Sequence, residues 1–259
     1  MGDSRELVSQ LQQFVSVKSE VILPLTCENE WLHALHFAPA WQPRMQRVVV
    51  VAPHPDDEVL GAGGMIAERR RHGVTVVVVA VTDGEAAYPG TSGLGSLRRS
   101  EQEKALARVG LSRRDIVRLG LPDGDVASHE ESLAGSLEQI LPPDTVLIAP
   151  WELDPHPDHE ACGRAAARAA QAVGCGLISY VFWTWHRQKP DALMAFHPRR
   201  FNLDPDLLAA KASALAEYRS QLAWKTAEPI LPELLLTPAL RNFETFIVRD
   251  HGDSHEHRQ

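Results

Sequence analysis

Two short stretches of the 259-residue sequence concentrate side chains able to do chemistry: Pro53-His54-Pro55-Asp56-Asp57-Glu58 and Asp154-Pro155-His156-Pro157-Asp158-His159-Glu160. Imidazole nitrogens and carboxylate oxygens without thiolates suit zinc or another divalent first-row ion, and three protein ligands would leave one position open for water. Such an ion lowers the pKa of a bound water toward about 7 and polarises a carbonyl, so the chemistry on offer is metal-assisted hydrolysis. The prolines fix φ and restrict the residue before them, which stiffens turns that must hold ligands ready. One His-Pro-Asp would be an ordinary turn. Two of them at matching places point to a shared centre.

Each stretch follows a continuous apolar run of strand length, Val48 to Ala52 and Thr145 to Ala149. Further buried strands are expected at Val74 to Val81, Asp115 to Leu119, Leu177 to Trp185 and Phe243 to Val248. Helices are expected at Ala62 to His72, Leu97 to Val109, Leu133 to Leu141, Glu160 to Val173 and Asp206 to Leu222. This alternation predicts an α/β, three-layer Rossmann-like fold, a largely parallel sheet flanked by helices. Ligands of open α/β sheets gather outside the carboxyl ends of strands, so the two motifs meet in one crevice if their strands are neighbours. Gly61-Ala62-Gly63-Gly64 lacks the G-x-G-x-x-G spacing of a dinucleotide loop and reads as a close approach of helix and sheet.

Together with Gly61 to Gly64, Thr82-Asp83-Gly84-Glu85, Arg98 and Glu101, Leu119 to Gly124 and Tyr218-Arg219-Ser220-Gln221, the two motifs resemble the N-acetylglucosaminyl deacetylase family. That family includes the lincomycin-biosynthesis-like proteins and the mycothiol- and glycosylphosphatidylinositol-pathway deacetylases. The resemblance runs from about Val48 to Gln221, and departs at Pro53, where the family usually carries a small residue. It implies that His54, Asp57 and His159 bind Zn²⁺, with Fe²⁺ or a similar ion as the alternative, and that Asp56 is the general base. It also implies that His156, in protonated form, stabilises the oxyanion with Asp158 tuning it, and that Arg98 and Asp123 touch sugar hydroxyls. Without the resemblance, Arg98 reads equally well as part of a solvated charged helix face.

The expected activity is therefore metal-dependent amide hydrolysis of linear amides, removing an acyl group, acetyl above all, from an N-acylated amino sugar or glycoconjugate in small-molecule biosynthesis. Amidase action on a larger thiol or glycopeptide conjugate is the alternative within that chemistry. A non-catalytic metal-dependent binding protein is the alternative outside it. Phe182, Trp183, Trp185 and His186 alternate on the expected strand, either as core or as a stacking wall for substrate.

Composition narrows the partners. A formal net charge of -8 argues against a nucleic-acid binder, which needs basic residues to neutralise phosphates. The three cysteines have no paired spacing, which suggests a reducing cytoplasm. No apolar run approaches the ~18 residues of a membrane span. Residues 1–46 are expected to form an amphipathic helix, with Leu7, Leu11, Phe14 and Val15 in phase, followed by an extended lead-in. Residues 47–249 would form the catalytic unit and 250–259 a polar tail.

Overall fold

A computed structural model describes residues 23–249 apart from residues 143, 225 and 226; the expected helix near the start of the chain and the polar tail lie outside them. Seven strands form one sheet in the order β3-β2-β1-β4-β5-β7-β6. They are β1 (Arg47–Ala52), β2 (Val76–Ala80), β3 (Ile116–Arg118), β4 (Thr145–Pro150), β5 (Gly176–Tyr180), β6 (Arg199–Asn202) and β7 (Phe243–Arg249). β1 to β5 are mutually parallel, and β7 runs antiparallel to both β5 and β6. The α/β class and its largely parallel sheet are thus as expected.

The interior strands read RVVVVA, VVVVA and TVLIAP because both of their faces are covered, and β-branched side chains pack well on a pleated surface. On one face, α2 (Asp57–Arg71), α3 (Leu94–Arg108) and α7 (Pro205–Leu215) enclose a core that includes Val48, Val50, Ile66, Leu106 and Leu215. On the other, α4 (Glu130–Ile140) and α5 (Pro157–Val173) cover Val49, Val51, Leu147 and Ala149. A third cluster joins Trp31 and Leu35 of α1 (Glu28–Leu35) to Trp151, Trp185 and Phe243. No helix among the described residues is long and apolar enough to cross a membrane.

Several elements differ from their sequence-based reading. Trp31 to Leu35 is not extended: it belongs to α1, which buries Trp31 and Leu35 on one side. The expected strand from Leu177 to Trp185 stops at Tyr180, and Thr184–Arg187 is a helical turn, α6. The expected helix from Asp206 to Leu222 is broken before Arg219–Leu222, α8, at Tyr218, whose ψ of 55° is not helical. Helix α2 starts at Asp57, not Ala62, and is kinked at Ala62 with φ -141° and ψ 16°.

The kink has an identifiable cause. A Cβ on Gly61 would lie 2.3 Å from the Tyr180 ring of β5, and one on Gly64 would lie 2.4 Å from Leu203, so this turn packs closer to its neighbours than a side chain allows. The backbone groups the kink frees are satisfied from α7 and β7: Glu244 accepts from the N–H groups of Gly64 and Met65, and Lys211 donates to the Leu60 carbonyl. Lys211 and Glu244 are themselves paired at 2.7 Å, both buried.

Candidate active site

β1 and β4 are adjacent, with Val50 opposite Ile148, so the two motifs leave neighbouring strands side by side at their carboxyl ends. The first turn is tied down through Pro53, whose carbonyl accepts from both the N–H and the hydroxyl of Thr82. The departure from the family pattern therefore leaves this exit anchored. In the second motif, Pro157 occupies the first turn of α5, where a missing N–H costs nothing, and His156 caps the helix by accepting from the Asp158 N–H.

The imidazoles of His54, His156 and His159 lie with ring centroids 5.0 to 5.7 Å apart. His54 Nδ1 is 3.1 Å and His159 Nε2 3.2 Å from the same oxygen, Oδ2 of Asp57. His54, Asp57 and His159 thus form a group that could hold a metal ion. The residues fit a zinc ion in donor type and number, and His159 Nε2 is buried without a hydrogen bond, as an atom meant for a metal would be. The opposite ring nitrogens are held by carboxylates: His159 Nδ1 by Asp154 at 2.8 Å and His54 Nε2 by Asp158 at 3.0 Å. This carboxylate–histidine arrangement fixes tautomer and ring orientation in metal sites.

Burial opposes ionisation of Asp57, yet the two facing imidazoles overcome it and hold its carboxyl well below the usual range. Burial likewise opposes charge on His159, but Asp57 and Asp154 raise it to about 9. His54 is raised well above its ordinary value, its hydrogen bonds to Asp123, Asp158 and Asp57 outweighing burial.

Asp56 is buried beside the group and is raised well above its ordinary value by desolvation and by the charge of Asp57, with Arg98 opposing. Its backbone is unusual, with φ 146° and ψ -30°, a conformation that costs a non-glycine residue about 1–3 kcal/mol. Arg98 is 3 % exposed, which removes the solvated-face reading; its guanidinium donates to the carbonyls of Gly84 and Pro55 and lies 3.7 Å from Asp56 Oδ2. Its Nε is buried without a partner. Asp123 accepts from the Ala86 N–H and sits 3.3 Å from His54 Nε2.

Desolvation, with the neighbouring imidazoles of His159 and His54 adding to it, pushes His156 down to about 4. Because its Nδ1 accepts from Asp158 N–H, the ring proton belongs on Nε2, which remains a donor. Asp158 directs its carboxylate to His54 and to the N–H groups of Gly124 and Val126, and meets His156 by a hydrogen bond only through its own backbone.

All but two of the expected site residues, Asp158 and His159, line one cavity of about 300 Å³, together with Leu60, Phe182, Trp183, Ile230 and Leu231. The aromatic stretch divides: Trp183 stacks on His156 at 5.5 Å and 19°, while Trp185 belongs to the third core cluster. Three features were not assigned from the sequence. Asp154 lies within the second motif, and only its chain proximity to His159 hinted at its role. The pairing of Glu58 with Tyr218 and of Gln221 with the Pro55 carbonyl spans more than 150 residues and left no local signal.

The PIG-L family, described as GlcNAc-PI de-N-acetylase, matches residues 49–170. A Bacillus cereus protein named a probable N-acetyl-alpha-D-glucosaminyl L-malate deacetylase 2 is 30% identical over 188 residues, covering 68% of this chain and 84% of the relative. The chain belongs to the PIG-L family. A relative of the same name from Bacillus subtilis is 33% identical over 136 residues, which is 48% of this chain and 60% of that protein. The chain therefore spans less than two thirds of that relative's length. The N,N'-diacetylchitobiose deacetylase of Pyrococcus horikoshii shares the fold, with a TM-score of 0.59 at 21% identity, covering 96% of this chain and 94% of that one. The names these relatives carry denote deacetylases, hydrolases of amide bonds.

Proposed function

We propose that this PIG-L family member is a zinc-dependent N-deacetylase that removes an acyl group, acetyl above all, from an N-acylated amino sugar or glycoconjugate. The observation that carries the reading is the convergence of His54 Nδ1 and His159 Nε2 on Asp57 Oδ2, with Asp56 and His156 on the same cavity wall. His54, Asp57 and His159 would hold the ion, which when bound supplies Lewis acidity and an activated water near neutral pH.

The chain's own groups supply the rest. Asp56, buried beside the metal group on the cavity wall, takes the proton of the attacking water and delivers it to the departing nitrogen. His156 offers its Nε2–H to the developing oxyanion, its ring orientation fixed by Asp158 N–H and by the face of Trp183. Arg98 and the Asp123 carboxylate line the cavity and would meet polar groups of the sugar, and Phe182, Trp183, Ile230 and Leu231 exclude water. A cavity of this volume lies in the range of small-molecule sites. The relatives' names favour glucosamine-containing substrates, and a cytoplasmic location suits them.

The test measures metal content and kcat for Asp56→Asn and Asp57→Asn on a panel of N-acetylglucosamine, N,N'-diacetylchitobiose and larger N-acyl glycoconjugates, read by amine release. Asp56→Asn should keep its zinc and lose about a hundred- to ten-thousandfold in turnover, whereas Asp57→Asn should lose zinc and activity together. Chelation should abolish the wild-type rate and added Zn²⁺ restore it. Full turnover by metal-free protein, or a normal rate from Asp56→Asn, would overturn the assignment.

A further inference from the structure

The peptide unit joining Pro55 to Asp56 is gripped at both of its polar ends. Its carbonyl accepts from Gln221 Nε2 at 2.8 Å and from Arg98 Nη2 at 3.3 Å. Its N–H donates to Glu58 Oε2, and the other oxygen of Glu58 accepts from the Tyr218 hydroxyl at 2.7 Å. On the far side of the Asp56 Cα, the next carbonyl is held by the N–H groups of Val59 and Leu60 as α2 begins. With both flanking peptide planes fixed, the Cα–Cβ bond of Asp56 has one direction, and φ stays at 146°. Left to itself, an L-residue would leave that region.

Tyr218 and Gln221 come from one short segment that contributes nothing to the metal group. Both are fully buried, as is Glu58. The segment is itself anchored from α3, where Glu101 accepts from the N–H and the hydroxyl of Ser220. Gln221 Oε1 has no partner, so a buried amide is tolerated here although half of it is unsatisfied. A side chain present only to fill space would be apolar; what Gln221 contributes is the donor on Pro55.

We propose that Gln221, together with Tyr218 acting through Glu58, is a positioning residue that holds Asp56 in its strained conformation at the reaction centre. This rests on Asp56 as the general base. Gln221→Leu keeps the bulk and removes the donor, and should lower kcat on N-acetylglucosamine or N,N'-diacetylchitobiose by about ten- to a hundredfold, as misplacing a catalytic group by about an ångström does. KM and zinc content should stay within about twofold of wild type, because Gln221 touches neither substrate nor metal group. Tyr218→Phe, which deletes one oxygen, should act in the same direction through Glu58 and serves if Gln221→Leu fails to fold.

A double-mutant cycle separates positioning from general support. Combined with Asp56→Asn, Gln221→Leu should cost nothing further, because the group it positions is no longer a base. In crystals of Gln221→Leu, the Asp56 φ should relax to a negative value, a readout that needs no substrate. Losses that multiply with those of Asp56→Asn, an unchanged kcat, or an Asp56 φ still near 146° would each overturn the proposal. A normal rate from Asp56→Asn alone would refute the general-base reading instead.

Discussion

Replacing Asp154 by asparagine removes one charge and turns one acceptor oxygen into a donor inside a fully buried cluster. The carboxylate accepts from His159 Nδ1, from the N–H groups of Phe182, Trp183 and Thr184, and from the Thr184 hydroxyl. If the new amide nitrogen faces Thr184, the Thr184 N–H is stranded; if it faces His159, both the imidazole and the Trp183 N–H are. A buried hydrogen bond to a charged group contributes about 1.5–3 kcal/mol, and the Thr184 hydroxyl can rotate to recover part, so the expected loss of metal-free stability is about 3 kcal/mol. For a chain of this size that is a fall in Tm of roughly 6–12 °C. Independently, zinc affinity should weaken about 10- to 100-fold, since His159 loses the charged partner that sets its orientation and basicity. Urea unfolding of the metal-free protein and competitive chelator titration measure the two effects separately. Wild-type values in both would refute the view that Asp154 organises His159 and the turn leading into α6.

Lys211→Met should destabilise the protein by about 3–5 kcal/mol in urea unfolding, because it leaves the Glu244 carboxylate buried without its cation; a double replacement of both partners by apolar residues should cost much less. His186, 2 % exposed and flanked by Arg241 and Arg187, is pushed by burial down to about 4. Its folded pKa lies below the unfolded value of 6.5, so as pH falls from about 6.5 toward 4 the unfolded chain takes up a proton that the folded one does not. Stability should therefore drop in that window by up to about 3 kcal/mol, and His186→Phe should flatten this part of the curve of unfolding free energy against pH.

The two motifs and their strands were legible because each strand is a continuous apolar run and each motif follows it directly; the ligand residues sit where chain order puts them. The edge of the sheet was not. β6 reads Arg-Arg-Phe-Asn, with too little apolar content to announce a strand, and it exists because β7 offers it hydrogen bonds. The aromatic run after Tyr180 looks like a continuation of β5, but the Asp154 carboxylate captures three successive N–H groups there and turns the chain into α6. Ala62 sits among Gly61, Gly63 and Gly64, which weaken a helix without fixing where it bends; the place of the break follows from Tyr180, Lys211 and Glu244, all distant in sequence. The supports of the site were hidden for the same reason: what Gln221 and Asp158 bond to is set by packing, not by spacing.

The last of the described strands, β7, does not finish the sheet from outside but enters between β5 and β6. During synthesis, every earlier strand leaves the ribosome before the segment that must separate these two. Until Phe243 and its neighbours emerge, the β5 edge stands open to pairing with other chains, and the turn after the first motif lacks the carboxylate that accepts its free N–H groups. The reaction centre, built from residues between His54 and His159, thus waits for the much later β7 before its framework closes.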